Sequence, residues 1–267
     1  MSKVQLKDLL VQKGLAQDSK QAERLILSAR VSVDGTVLTQ AGSLVDPDAS
    51  TEISMDRQYV SRGGFKLAGA LDDFCFTPTG LSCIDVGAST GGFTDCLLQR
   101  GAGHVVAVDV GYGQFDWKLR NDSRVTLFER TNIAKADPVD LGAPFALLVA
   151  DLSFTSLARL AACLAVLVEK QGNCMTLVKP QFELPKDAVR NGVVYSFDAH
   201  LKSLEAVIKA FGNNDLAVQG VSFSHLLGPK GNREFWVWAI KSGTTATINL
   251  DEVVRAAHEE LRVEKKN

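Results

Sequence analysis

The stretch that decides the fold is Cys83-Ile84-Asp85-Val86-Gly87-Ala88-Ser89-Thr90-Gly91-Gly92-Phe93-Thr94. Its apolar start indicates a buried strand that ends near Asp85. The glycine-rich middle indicates a loop, and a helix is expected to begin near Gly92. Ligands of open α/β sheets bind just outside the carboxyl ends of such strands, and glycine lets the backbone approach a ligand closely. We therefore expect this loop to bind a ligand.

Short apolar runs alternate with helical patterns on both sides of this loop. Strands are expected at 82–86, 104–110, 125–128, 145–150, 174–178, 218–223 and 235–240, with helices near 200–211 and beyond Leu250. Strands that alternate with helices indicate a parallel sheet covered on both faces. The expected fold for residues 63–267 is therefore α/β, with a Rossmann-like sheet that is mostly parallel and has one antiparallel strand.

Two acidic residues indicate what the loop binds. Asp85 precedes the glycines, where it is well placed to hold a cationic amine, and Asp109 ends the next strand, where a carboxylate typically accepts the hydroxyls of a ribose. An amine and a ribose without a pyrophosphate describe S-adenosylmethionine better than NAD. A nucleotide cofactor and a purely structural turn remain the alternatives. The expected cofactor-binding residues are Asp85, Gly87, Ala88, Ser89, Thr90, Gly91, Gly92, Phe93, Asp109 and Val110.

Four charged residues are expected at the edge of the sheet where the strands end. Asp151 and Lys179 close two strands, Glu234 opens the last strand, and Lys66 precedes the sheet. If the last strand runs antiparallel, its start lies on the same edge as the ends of the others. Each residue alone has the character of a surface charge. Together they suit methyl transfer to a ribose hydroxyl, a poor nucleophile that must be aligned for in-line attack.

Residues 1–55 have a different pattern, which predicts a small α+β domain. Two short helices, the second capped by Ser19, precede a hairpin whose turn is Asp34-Gly35, and a last short strand runs through Ile53. Residues 56–62 are expected to be a linker. This order of elements resembles the RNA-binding domain of the ribosomal-protein-S-four type, although a solvated helix face is the simpler explanation of the basic residues. The expected RNA-binding residues are Lys3, Lys7, Lys13, Lys20, Arg24, Arg30 and Arg62.

Composition limits the remaining classes of function. The formal net charge of −2 does not by itself indicate nucleic acid, but a local basic face is compatible with it. The five cysteines and four histidines are scattered, so we expect free buried thiols and no metal. The chain begins without an apolar signal segment and contains no apolar run long enough to span a membrane, so a cytoplasmic protein with no membrane partner is expected.

Six motifs together resemble the TlyA family, whose members are described both as haemolysins and as ribosomal RNA 2′-O-methyltransferases with an FtsJ-like catalytic domain. The resemblance covers nearly the whole chain. It implies that Lys66, Asp151, Lys179 and Glu234 form a catalytic tetrad and that the substrate is cytidine ribose in ribosomal RNA on assembled subunits. A membrane-active haemolysin and a catalytically silent RNA-binding factor are the competing hypotheses. The motifs are residues 59–67, 85–94, 109–114, 117–122, 150–154 and 178–183.

Overall fold

The computed structural model describes residues 3–27, 30–38, 40–53 and 58–261. The chain forms two compact units, Met1–Gly63 and Gly64–Asn267. The expected linker, residues 56–62, lies at the end of the first unit, and its residues 56 and 57 are outside the described residues.

The first unit is a small α+β structure. Its helices are α1 (Leu6–Gln12) and α2 (Ser19–Leu27), and its strands are β1 (Val4–Gln5), β2 (Val31–Val33), β3 (Thr36–Leu38), β4 (Leu44–Val45) and β5 (Thr51–Ile53). Strand β2 lies between β3 and β5, and β1 pairs with β4. The apolar residues repeat at helical spacing in α1 and alternate in β2, so both elements bury one face in a common core: Leu6, Leu9, Leu10, Ala22, Ile26, Val31 and Val33.

Two turns in this unit test the sequence predictions directly. Asp34 and Gly35 have φ of 49° and 78° and join β2 to β3, so the predicted hairpin is confirmed. The predicted cap of α2 is wrong by one residue. Asp18, not Ser19, accepts a hydrogen bond at 2.7 Å from the backbone N–H of Gln21, because its carboxylate reaches the first turn while Ser19 is already helical.

The second unit, with the helix that leads into it, alternates strands and helices. In chain order its elements are α3 (Arg62–Asp73), β6 (Ser82–Val86), α4 (Gly92–Gln99), β7 (His104–Val108), α5 (Trp117–Arg120), β8 (Val125–Phe128), β9 (Phe145–Ala150), α6 (Leu157–Ala165), β10 (Val168–Val178), α7 (Pro180–Glu183), α8 (Phe197–Gly212), β11 (Leu216–Phe223), β12 (Phe235–Lys241) and α9 (Leu250–Glu260).

One seven-stranded sheet organises this unit, in the order β11-β12-β10-β9-β6-β7-β8. Strand β12 is antiparallel to both neighbours, whereas the pairs from β10 to β8 are all parallel. The predicted mostly parallel sheet with one antiparallel strand is confirmed. Because β12 runs in reverse, its first residue, Phe235, pairs with Val178, the last residue of β10. Glu234 and Lys179 therefore meet at one edge.

Four strand boundaries differ from the prediction: β11 begins two residues early at Leu216, β12 ends one residue late at Lys241, and one end each of β7 and β10 is displaced. Strand β7 ends at Val108, two residues early, because the chain turns at Asp109 to meet the glycine-rich loop. Strand β10 begins at Val168, six residues earlier than expected. The sequence conceals this start because residues 169–173 are polar, and the pairing with β9 shifts register between Val168 and Asn173, where Gln171 has a φ of 65°.

The core of the second unit lies on both faces of the sheet. On one face, apolar side chains of β6, β9, β10 and β12 are buried under helices α6, α8 and α9. On the other face, side chains of the same sheet, among them Leu147, Met175 and Trp236, are also fully buried. All five cysteines are free, and Cys83, Cys96 and Cys174 are buried. Cys75 is exposed, so the prediction of buried thiols is wrong there, since Cys75 lies in the turn after α3. In the described part of the chain, every helix is too short or too polar to cross a bilayer.

Candidate cofactor and catalytic site

The glycine-rich loop between β6 and α4 is shaped by two glycines that no other residue can replace without strain. Gly87 has a φ of 87°, and a Cβ added there would lie 2.6 Å from the carbonyl oxygen of Asp151. Gly91 has a φ of 93° and forms the N-cap of α4, and a Cβ there would lie 2.5 Å from the side chain of Leu119. The loop is therefore a tight cradle at the carboxyl end of the central strand.

Asp85 lies under this cradle and is completely buried. Its Oδ2 accepts hydrogen bonds from the backbone N–H of Thr94 at 2.9 Å and from the Thr94 hydroxyl at 2.7 Å. Its Oδ1 has no hydrogen-bond partner among the described residues. Because a buried carboxylate oxygen that lacks a donor is costly, this atom calls for a donor from a ligand.

Asp109 follows β7 and holds the other side of the loop. Its Oδ2 accepts from the N–H of Ser89 at 2.8 Å, and its Oδ1 accepts from the N–H of Gly111 at 2.6 Å. The carboxylate is only partly buried, and the neighbouring Val110 is 70 % exposed. Each carboxylate oxygen has a second lone pair, so Asp109 can also accept a hydroxyl from a ligand.

The charge around the loop is negative. Burial raises the pKa of Asp85 to about 7, the two hydrogen bonds from Thr94 oppose this rise, and the nearby carboxylates of Asp151 and Asp109 add to it. Three carboxylates so close together disfavour an anionic pyrophosphate and favour a cation. The residues present therefore fit S-adenosylmethionine, which carries an amine and a sulfonium, better than they fit a dinucleotide.

The first of two lysine–carboxylate pairs joins α3 to the start of β12. Lys66 Nζ lies 2.5 Å from Glu234 Oε2, and the two side chains are 8 % and 0 % exposed. Glu234 Oε1 is buried and finds no donor in the described part of the chain. Gly228 leaves the space for this carboxylate, because a Cβ there would overlap Oε1. The pair is therefore held in a closely fitted, desolvated position.

The second pair joins the ends of β9 and β10. Lys179 Nζ lies 2.5 Å from Asp151 Oδ1 and donates a hydrogen bond at 3.0 Å to the Ser153 hydroxyl. The Lys179 side chain is 8 % exposed, whereas that of Asp151 is 23 % exposed. This pair is therefore open to solvent on one side.

The two lysine–carboxylate pairs are close enough to interact electrostatically. Burial raises the pKa of Glu234, Lys66 lowers it, Asp151 raises it and Lys179 lowers it. The three other charged groups thus act on the Glu234 carboxyl, and Asp151 also acts on Asp85 in the loop. The structure brings Lys66, Asp151, Lys179 and Glu234 together beside the cradle, although they are far apart in sequence.

An exposed aromatic side chain stands next to this cluster. Phe154, three residues after Asp151, is 92 % exposed and has a φ of 64°. Its ring lies 5.3 Å from that of Phe182, three residues after Lys179. Aromatic faces of this kind can stack on nucleic-acid bases.

Comparison with known proteins agrees with this geometry. Residues 59–241 match the family described as FtsJ-like methyltransferase, and residues 5–50 match the S4 domain. The chain belongs to the FtsJ-like methyltransferase family. The predicted resemblance to TlyA proteins is confirmed by 41 % identity to "16S/23S rRNA (cytidine-2'-O)-methyltransferase TlyA" of Mycobacterium tuberculosis, over 93 % of this chain and 94 % of that protein.

Two further relatives cover almost the full length of this FtsJ-like chain. "Putative rRNA methyltransferase YqxC" of Bacillus subtilis is 38 % identical over 98 % of this chain and 97 % of its own. A solved structure titled "Putative hemolysin" from Streptococcus thermophilus is 36 % identical, with a TM-score of 0.75 and 97 % coverage of both chains. The α/β fold with an N-terminal S4 domain is therefore shared along the whole chain.

One predicted residue lies away from the site of this FtsJ-like methyltransferase, and three supporting residues were not predicted. Phe93 is 3 % exposed and packs on Trp236 at 5.4 Å, so its side chain belongs to the core and not to the surface of the cradle. Sequence reasoning also missed residues that support the site: Thr94 under Asp85, Ser153 beside Lys179 and Glu183 at the start of α6. Only the position of Thr94, inside the glycine-rich motif, could have indicated its role.

The predicted RNA-binding residues differ in their exposure and in their contacts within the protein. Lys3 and Lys20 are exposed. Lys13 donates hydrogen bonds to the carbonyl of Ala49 at 2.5 Å and to Thr51 at 3.3 Å, and Lys7 lies 3.6 Å from Glu23. Arg30 and Arg62 are partly buried, and the side chain of Arg24 lies outside the described residues.

Proposed function

We propose that this chain transfers a methyl group from S-adenosylmethionine to the 2′-hydroxyl of a cytidine ribose in ribosomal RNA, presented on assembled ribosomal subunits. The observation that carries the proposal is the meeting of Lys66–Glu234 and Lys179–Asp151 beside the glycine cradle. The Mycobacterium tuberculosis relative is named a 16S/23S rRNA (cytidine-2′-O)-methyltransferase, which supports the same substrate.

Different residues of the cradle bind different parts of the cofactor. In this proposal Asp85 Oδ1 accepts the amine, Asp109 accepts ribose hydroxyls, and residues 87–92 provide a backbone surface for close approach. S-adenosylmethionine supplies an activated methyl group on a sulfonium. The surrounding carboxylates of Asp85, Asp109 and Asp151 favour the positive charge of that group.

The second lysine pair aligns the acceptor. A lysine ammonium has three N–H donors. Ser153 accepts one of those of Lys179, and the Asp151 carboxylate forms an ion pair with its Nζ at 2.5 Å, so that another N–H is left for the ribose oxygen. Lys179 thereby orients the hydroxyl for in-line attack, and much of the rate comes from this alignment. As the 2′-oxygen takes the methyl group and the methyl–sulfur bond breaks, the hydroxyl proton passes to water on the exposed side of Asp151. The buried Lys66–Glu234 pair lies near Lys179 and fixes its position through the charge of Glu234.

The smaller unit and the exposed aromatic residue bring the RNA to this site. We assign the S4 domain, within residues 1–55, to docking on RNA phosphates through its exposed lysines, Lys3 and Lys20. Phe154 offers its free face to the cytosine whose ribose is methylated. An unpaired base is the form of RNA that such a stacking surface recognises.

The direct experiment incubates the full chain with labelled S-adenosylmethionine and ribosomal subunits that lack this modification. Ribose methylation is then mapped nucleotide by nucleotide, with protein-free rRNA as the second substrate. Label on the 2′-oxygen of a cytidine in assembled subunits supports the proposal. Label only on bases, or none on either substrate, contradicts it.

Replacing Lys179 by Ala separates an enzyme from a catalytically silent RNA-binding factor. Because Lys179 is the group that aligns the acceptor, we expect Lys179→Ala to lower the methylation rate by at least about 1,000-fold. Cofactor binding, measured by calorimetry, and the melting temperature should change little. Full activity in Lys179→Ala would remove the tetrad from the mechanism.

A further inference from the structure

A further carboxylate, that of Glu183, links the two chain segments that carry Lys179 and Asp151. We use the name β9 loop for residues 151–156, which carry Asp151, Ser153 and Phe154, and the name β10 turn for residues 179–183, which carry Lys179. Both follow strand ends in the middle of the sheet. Glu183, at the end of the β10 turn, reaches across to the β9 loop.

Glu183 binds the start of helix α6 with both of its oxygens. Its Oε1 accepts from the N–H of Leu157 at 2.7 Å. Its Oε2 accepts from the hydroxyl of Ser156 at 2.6 Å and from the N–H of Ala158 at 3.4 Å. Ser156 is itself the N-cap and accepts from the N–H of Arg159 at 3.3 Å. The carboxylate thus completes the cap and faces the positive end of the helix.

The same two segments are joined at three further points. Lys179 contacts Asp151 and Ser153, and Phe182 packs on Phe154. The β9 loop is therefore fixed at its start by strand β9 and at its end by Glu183. Between these anchors, Phe154 keeps a positive φ that a phenylalanine adopts only where its surroundings impose it.

We propose that Glu183 is a positioning residue for methyl transfer, acting through the β9 loop on Lys179. Glu183 holds the loop so that the Ser153 hydroxyl stays 3.0 Å from Lys179 Nζ. The Ser153 hydrogen bond and the Asp151 ion pair together then fix the orientation of the Lys179 ammonium, and with it the direction of the N–H that faces the acceptor. This inference rests on the proposed function, because it concerns the alignment of the acceptor hydroxyl.

The effect is expected to be large for a residue that does not touch substrate. When the end of the β9 loop is released, Ser153 and Phe154 move together, so that Lys179 loses the hydroxyl that orients it and the acceptor loses its stacking surface. A misplacement of about 1 Å at a reacting centre can lower a rate by about 100-fold. A carboxylate that only stabilised α6 would lower the melting temperature and leave the kcat of the folded protein unchanged.

The test compares Glu183→Ala and Glu183→Gln with the wild-type chain on the ribosomal subunits methylated in the direct experiment. Glu183→Ala should lower kcat by about 10-fold to 100-fold, with the dissociation constant of S-adenosylmethionine within about twofold of wild type. Glu183→Gln should lie between the two, because its amide oxygen still accepts one N–H while the charge is lost.

The matched control is Asn249→Ala at the start of helix α9. The Asn249 side chain also caps a helix, because its Oδ1 accepts from the backbone N–H of Glu252 at 3.3 Å, but it lies outside the site. Its substitution should leave kcat unchanged. An equal loss of kcat in Asn249→Ala and Glu183→Ala would show a general effect of helix capping and overturn the proposal.

A double-mutant cycle distinguishes positioning from stability. If Glu183 acts through Ser153, the loss of kcat in the double variant Ser153→Ala/Glu183→Ala should be much smaller than the product of the two single losses. Losses that multiply would overturn the proposal. If the wild-type chain is active and Glu183→Ala has an unchanged kcat, this inference alone is overturned. If the wild-type chain is inactive, the proposed function is overturned and this inference with it.

Discussion

The two lysine–carboxylate pairs of the site have the same 2.5 Å separation and very different surroundings. Lys66–Glu234 is 8 % and 0 % exposed, with one Glu234 oxygen left without a donor in the described structure. Lys179–Asp151 is 8 % and 23 % exposed and includes the Ser153 hydroxyl. The comparison teaches that charge type alone does not assign a role. The Lys66–Glu234 pair is closed to water, whereas the Lys179–Asp151 pair is open on one side.

Burial explains the difference. A charge removed from water is stabilised mainly by its partner, so that removing one member of a buried pair leaves an uncompensated charge. A partly exposed pair keeps water as an alternative partner. Desolvation accordingly raises the pKa of Glu234, and the two lysines oppose that rise. The buried pair therefore depends on its own geometry far more than the open one does.

Removing the lysine from each pair should produce the largest contrast. Lys66→Ala leaves the fully buried Glu234 without its partner, so we expect the free energy of unfolding to fall by about 3–5 kcal/mol. Lys179→Ala should cost about 1 kcal/mol or less, because water can replace the lost partner of Asp151, which is 23 % exposed. Urea denaturation followed by circular dichroism measures both. Equal losses would show that the two pairs do not differ in this way.

A smaller change tests how closely the buried carboxylate is fitted. Gly228 has φ and ψ of −68° and 179°, which alanine also adopts, so Gly228→Ala adds only a methyl group that overlaps Glu234 Oε1. We expect a loss of about 1–3 kcal/mol in unfolding free energy together with reduced methylation. Gly212→Ala, where no atom lies within 4 Å, is the control and should be neutral. A neutral Gly228→Ala would mean that the carboxylate is free to move.

The buried acid of the glycine-rich loop, Asp85, can be compared with the open acids through the pH dependence of cofactor binding. Because burial raises the pKa of Asp85 to about 7, the ligand-free protein holds a proton there below that pH. A cationic amine needs the ionised form, so affinity for S-adenosylmethionine should rise with pH and level off above about 7. Below that point it should change by about tenfold per pH unit. Calorimetric titration across this range measures it.

Two variants identify the group that titrates. Thr94→Val removes a hydroxyl whose hydrogen bond lowers the pKa of Asp85, so the midpoint of the affinity profile should move to higher pH. Asp85→Asn should abolish the step altogether. A step that persists in Asp85→Asn belongs to another group, the amine of the cofactor included.

Much of the architecture could be predicted because it is written in local patterns. The alternation of strands and helices, the Asp34-Gly35 hairpin and the glycine-rich loop each depend on neighbouring residues. The start of β10 could not be found, since its polar residues and register shift leave no periodic signal. Cap residues were equally hard to assign, because several acceptors near a helix start compete and geometry decides between them.

The sequence by itself determined the class of the fold, the cradle for the cofactor and the charged residues at the ends of the strands. Only the tertiary structure decided that Lys66 pairs with Glu234 and Lys179 with Asp151, which of the pairs is buried, and that Glu183 caps α6. The physical reason is that the first pairing depends on strand β12 entering the sheet in reverse between β10 and β11, and the second on β9 and β10 lying side by side. A contact across 168 residues is set by how the whole sheet assembles and by the water it excludes, and neither is a local property of the chain.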